Sequence, residues 1–107
     1  MSDFDTVIRR LAAVIESRRG GDPTVSWSAK LLANPTLAAK KMAEEAIEVA
    51  LAAAQGDRAG LVAESADLVY HWLALLVASG ISLDEVAAAL EAREGRSGIA
   101  EKAGRAT

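Results

Sequence analysis

Two runs of carboxylates have spacing that chemistry can use: Glu44-Glu45-x-x-Glu48 and Glu64-x-x-Asp67. On a helix, residues three or four apart share a face, so Glu48 sits beside Glu44 and Glu45, and Asp67 lies one turn from Glu64. Like charges at these spacings cost a helix roughly 0.2–0.5 kcal/mol per pair. Two such clusters on adjacent helices repel further unless a cation lies between them. Oxygen-only ligands suit hard cations, and Mg²⁺ typically binds one or two carboxylates together with substrate phosphates and water. A cation held there would polarise phosphoryl oxygens and make water a nucleophile near neutrality. A carboxylate outside the ligand set could orient or deprotonate that water. The same residues also fit two solvated acidic helix faces, and spacing alone leaves both readings open.

The elements that must position these groups follow from periodicity and punctuation. A first helix is expected from about Asp3 to Arg18, with Phe4, Val7, Ile8, Leu11 and Ile15 on one face and Gly20-Gly21 as its stop. Residues 22–34 are less regular; Ser26 to Leu32 suits a short helix ending near Asn34. Pro35 fits the first turn of the next helix, where its missing N–H costs nothing. That helix should run to about Ala54, with an apolar stripe of Leu37, Met42, Ala46, Val49 and Ala53.

Gly56 is its natural stop, and Asp57 caps a following helix that ends at Gly80. From Leu68 onward this helix is apolar nearly all round, which demands cover on more than one side, from the chain itself, from a second subunit, or from both. Ser82 and Glu85 form a capping-box pattern opening a last helix to about Arg93. An antiparallel pair joined at Gly56-Asp57 brings the two acidic clusters to one height: Glu48 lies roughly 12 Å before the turn and Glu64 roughly 10 Å after it.

Composition bounds the alternatives. A chain of 107 residues is one domain by size, 1–107, with 94–107 a basic, Gly-rich C-terminal extension. Apolar residues make up 51% and aromatics only 4%, with Ala and Leu prominent, which favours helices. There is no cysteine and one histidine, so thiolate sites and multi-imidazole sites are excluded. A net charge of −3 argues against nucleic acid as a partner. Asp3 and Asp5 stand where a signal peptide is basic, and the longest apolar run, Trp72 to Ala78, is too short for a bilayer. The expectation is a soluble, cytoplasmic protein with no membrane partner.

The runs Lys40 to Glu48 and Glu64 to His71 resemble the phosphoribosyl-ATP pyrophosphatase family, part of the all-α nucleoside-triphosphate pyrophosphohydrolase (MazG-like) superfamily. Ser26 to Leu32, Gly80 to Val86 and Arg93 to Arg105 are similar to further segments of the same family. Two departures are small: Trp27 where Tyr is usual and Ala43 where Gly is common. The resemblance implies an all-α bundle of four to five helices, a homodimer, and Mg²⁺. It implies hydrolysis of phosphoribosyl-ATP to phosphoribosyl-AMP and pyrophosphate, the second step of L-histidine biosynthesis. It also implies Glu45, Glu48, Glu64 and Asp67 as metal ligands, with Glu45 and Glu44 in the catalytic set and Glu44 either ligand or base.

Candidate substrate contacts are Trp27 for base or ribose, and Lys30, Lys40, Lys41, Arg93, Arg96, Ser97 and Lys102 for phosphate. Lys40 and Lys41 equally suit intrahelical pairing, Lys40 with Glu44 and Lys41 with Glu45 or Glu48. His71, four residues after Asp67, reads first as a core or interface residue and second as a ligand or a partner to one. Trp72 reads as core. A house-cleaning nucleotide pyrophosphohydrolase and a non-catalytic helical interaction module are the competing functions.

Overall fold

In the computed structural model, which describes residues 2–95 and 98–99, the chain forms five helices. They are α1 (Phe4–Ser17), α2 (Trp27–Ala33), α3 (Pro35–Ala54), α4 (Arg58–Ala78) and α5 (Leu83–Glu91). No strand occurs among the described residues.

Each start is set by a side chain that takes up an orphan backbone N–H. Asp3 accepts from the Thr6 amide at 2.8 Å, Ser26 from Ala29 at 3.1 Å and Asn34 from Leu37 at 3.1 Å. Asp57 accepts from the Gly60 amide at 2.9 Å, and Ser82 and Glu85 make the expected reciprocal box. α3 opens on Pro35, as its fixed φ suggests. The α3–α4 turn closes through Gly56 at φ +68°, a left-handed position that favours glycine. The last helix stops at Glu91, two residues short of the expected Arg93.

Helix α4 is the hub, packed against α1, α2 and, most extensively, α3. By length and composition alone it is apolar enough to cross a bilayer; α1, α2 and α3 pack against it, burying His71, Leu73 and Ala74 while much of the rest stays partly exposed. The core gathers Ile8 and Ile15 of α1, Leu31 and Leu32 of α2, Ala38 of α3, and Leu73 and Ala74 of α4. Ile15, Leu31 and Leu73 are its largest fully buried side chains. Trp72 packs at the margin of this core, as expected.

One feature of α3 differs from expectation. Its inward line is Ala38, Met42, Glu45, Val49 and Ala52, whereas Ala46 and Ala53 face outward. Leu37, Met42 and Val49 are half-buried as expected, and only Ala46 and Ala53 give way to their neighbours Glu45 and Ala52. A glutamate fills the inward position because its partners lie on the facing helix.

Candidate active site

The antiparallel α3–α4 pair brings Glu45, Glu64 and Asp67 together. Each offers a carboxylate oxygen, and the three oxygens lie within 4.8 Å of one another. Glu45 stands eleven residues before Gly56 and Asp67 eleven after it, so the two meet across the hairpin. On α4, Glu64, Asp67, His71 and Ala74 form one line at helical spacing, starting in carboxylates and ending in core.

Glu48 shares the height of Glu64, each eight residues from Gly56, but its side chain is exposed and lies outside the three-carboxylate group. Glu45 and Glu48, three residues apart, are offset by about 60° around α3, and it is Glu45 that faces α4 while Glu48 is exposed.

The electrostatics of the cluster are those of crowded carboxylates. The Glu64 carboxyl is held above its ordinary value, first by a hydrogen bond shared with Glu45, then by partial burial and by the negative charges of Glu45 and Asp67. Crowded carboxylates whose mutual repulsion pushes a pKa upward are a donor set fitted to a hard divalent cation, which would balance the charge. The donor set therefore fits a metal such as the sequence implies.

Glu44 behaves oppositely. Its carboxylate accepts from Lys41 Nζ at 2.8 Å, and this bond, with the charges of Lys41 and Lys40, lowers its pKa against partial burial. The pairing is Lys41 with Glu44, a spacing of three, and not the expected Lys40–Glu44 and Lys41–Glu45 or Glu48. Lys40 is exposed on the solvent side of α3.

Helix α2 closes one end of the site. Trp27 Nε1–H donates to His71 Nε2 at 3.1 Å, and His71 Nδ1 lies 2.8 Å from the Asp67 carbonyl oxygen. An indole N–H can only donate, so Nε2 accepts and Nδ1 carries the proton. Both imidazole nitrogens are thereby engaged, and His71, only 8% exposed, is a satisfied buried residue and not a ligand in this arrangement. Ser28 Oγ and Tyr70 Oη make a second hydrogen bond between the same helices.

Lys30 Nζ stands 5.7 Å from the centre of the Trp27 ring, within cation–π range. Arg93 is exposed in the turn after α5. Arg96, Ser97 and Lys102 lie outside the described residues. The Ser28–Tyr70 contact had no sequence signal of its own, because residues 42 apart pair only once the fold is known.

A sequence profile described as phosphoribosyl-ATP pyrophosphohydrolase matches residues 8–94. The chain belongs to that family. Among similar proteins, the phosphoribosyl-ATP pyrophosphatase of Caulobacter vibrioides is 69% identical over 94% of each chain. Proteins of the same name from Cereibacter sphaeroides and Ruegeria pomeroyi are 57% and 54% identical over 94% of this chain, and over 98% and 96% of their own. The five-helix, all-α architecture fits the MazG-like fold of the phosphoribosyl-ATP pyrophosphohydrolases.

Proposed function

We propose that this protein hydrolyses phosphoribosyl-ATP to phosphoribosyl-AMP and pyrophosphate, the second step of L-histidine biosynthesis. The observation that carries the reading is the convergence of Glu45, Glu64 and Asp67 in a chain of this family. Mg²⁺ is the proposed cofactor, with Glu45, Glu64, Asp67 and Glu48 as its ligands. When bound, it supplies Lewis-acid polarisation of phosphoryl oxygens and neutralises charge on the departing pyrophosphate.

The chain's own groups then divide the remaining work. Water supplies the incoming oxygen, one P–O bond of the anhydride breaks, and pyrophosphate leaves with the bonding electrons. Glu44, held at Oε2 by Lys41, orients that water and takes its proton at Oε1. Its lowered pKa keeps it ionised, and so able to accept a proton, over a wide pH range. Glu45 belongs to the catalytic set as one of the carboxylates that would hold the cation.

Lys30, Lys40, Lys41, Arg93, Arg96, Ser97 and Lys102 bind the phosphates, and the Trp27 ring contacts base or ribose. The domain is taken as 1–107, with 94–107 its basic extension. A homodimer is proposed because α1 and the first half of α4 leave an apolar cleft of about 460 Å³ between Phe4, Val7, Leu61, Val62 and Val69. Phe4 and Val62 there are 73% and 67% exposed, unusual for such side chains. The reading places the enzyme in the cytoplasm, without nucleic-acid or membrane partners.

The test is pyrophosphate release from phosphoribosyl-ATP beside ATP and deoxynucleoside triphosphates, with and without Mg²⁺. Mg²⁺-dependent turnover confined to phosphoribosyl-ATP is expected. Turnover of deoxynucleoside triphosphates alone would instead establish the house-cleaning activity.

A further inference from the structure

We infer that His71 is a positioning residue: its single imidazole ties helix α2 to the peptide carbonyl of Asp67, and so sets where α2 and its Lys30 stand relative to the carboxylate cluster. The inference rests on the proposed reaction for its kinetic consequence, but its geometry is independent of that reaction.

Three observations support it. The bond from Trp27 Nε1 to His71 Nε2 and the bond from His71 Nδ1 to the Asp67 carbonyl run in series through one ring. The direction of both is fixed, since indole cannot accept. The ring is also gripped edge-on from two sides, by Trp27 with centroids 6.2 Å apart and by Tyr70 at 5.0 Å. Finally, Ser28 and Tyr70 repeat the α2–α4 connection one residue along each helix, so the link resists rotation as well as separation.

The consequence reaches Lys30 through Trp27. Lys30 Nζ lies over the Trp27 ring, and a ring freed from His71 would no longer hold that cation at a fixed distance from Asp67. Helix α2 has only seven residues and rests on α4 and α3, so a polar anchor specifies its register where apolar packing alone tolerates sliding.

Isosteric substitutions separate the two bonds. In His71→Asn the amide Nδ2 falls near the imidazole Nδ1, keeping the donor to Asp67 and losing the acceptor for Trp27. In His71→Gln the amide oxygen reaches toward Trp27. His71→Asn and Trp27→Phe should each raise KM for phosphoribosyl-ATP by about 3- to 10-fold, the equivalent of one hydrogen bond, with kcat changed much less. His71→Gln, which keeps the acceptor for Trp27 but drops the donor to Asp67, should be impaired to a similar degree, and Trp27→Phe with His71→Asn should be no worse than either alone.

A kcat collapse at unchanged KM, or losses from Trp27→Phe and His71→Asn that add in the double variant, overturns the assignment. A second readout needs neither substrate nor variant. His71 is the only histidine, so ¹⁵N NMR of the unaltered protein at neutral pH reports one imidazole. A neutral Nδ1–H tautomer is expected, and an Nε2–H tautomer refutes the link whatever the enzyme turns over. Conversely, no turnover by the unaltered protein, with the Nδ1–H tautomer present, defeats the proposed reaction and leaves the geometry standing.

Discussion

Lys41 and Glu44, one turn apart on α3, form a 2.8 Å ion pair immediately beside the glutamate that turns inward to Glu64. Adjacent glutamates are thus put to opposite uses. The Glu44 pKa is lowered by a lysine, whereas Glu45 raises that of Glu64 through a hydrogen bond and its charge.

The first prediction concerns Glu44 as proton acceptor. Because Lys41 lowers the Glu44 pKa, Lys41→Met should raise it, and the acid limb of the pH–rate profile should move to higher pH. Glu44→Gln removes the base, and kcat should fall by roughly 10²- to 10⁴-fold. An acid limb that stays in place in Lys41→Met would assign it to another group.

The second links the cation to pH. In cation-free protein Glu64 holds its proton above the ordinary value of 4.5, so the folded chain binds more protons than the unfolded one just above that value. Stability should therefore fall as pH rises from about the ordinary carboxylate value through that of folded Glu64. Mg²⁺ bound at this cluster would compete with that proton, so its affinity should weaken as pH falls, with proton release visible by calorimetry in buffers of different ionisation enthalpy. Glu64→Gln should flatten the pH slope of Tm and suppress the Mg²⁺-induced rise. Its turnover should drop on the order of 10²-fold or more, reflecting several kcal/mol of lost charge stabilisation.

A third prediction separates the core from the site. Leu73 is 1% exposed at the centre of α4, and Leu73→Ala should cost about 2–5 kcal/mol in urea denaturation. Val25 is 83% exposed, and Val25→Ala should stay within about 0.5 kcal/mol. Comparable losses at both positions would contradict the packing described.

The fourth tests the basic extension. Removing residues 95–107 takes away Arg96, Ser97 and Lys102, and KM for phosphoribosyl-ATP should rise by about 10-fold or more, as expected for lost charge-assisted bonds. Unchanged kinetics would remove those residues from the binding set.

The fifth addresses the subunit contact. Val62→Asp places a charge in the apolar cleft between α1 and α4, and sedimentation should show a shift from dimer to monomer. A monomeric unaltered protein would dispose of this surface as an interface.

The caps at Asp57 and at the Ser82–Glu85 pair were legible because they are local, each acting within three residues. The hairpin height was legible from helical rise and the Gly56 stop. What periodicity misjudged was azimuth. Ala46 and Ala53 look apolar yet face out, while Glu45 looks polar yet faces in, since burial follows the partner helix and not the residue type. The same limitation hid the Trp27–His71 and Ser28–Tyr70 contacts, whose partners are remote in sequence. It also left Glu48 indistinguishable from Glu45, although only Glu45 joins the close group.

The equal arms of the α3–α4 hairpin make Gly56 a ruler. Glu45 and Asp67 face each other because the same number of residues separates each from the turn. One residue added to either arm would swing its carboxylate by about 100° and advance it 1.5 Å, leaving the helix intact and the cluster dispersed. Evolution can vary what these helices present to solvent at little cost, but the count of residues between turn and carboxylate is locked, so divergence should accumulate by substitution and leave these two arms free of insertions and deletions.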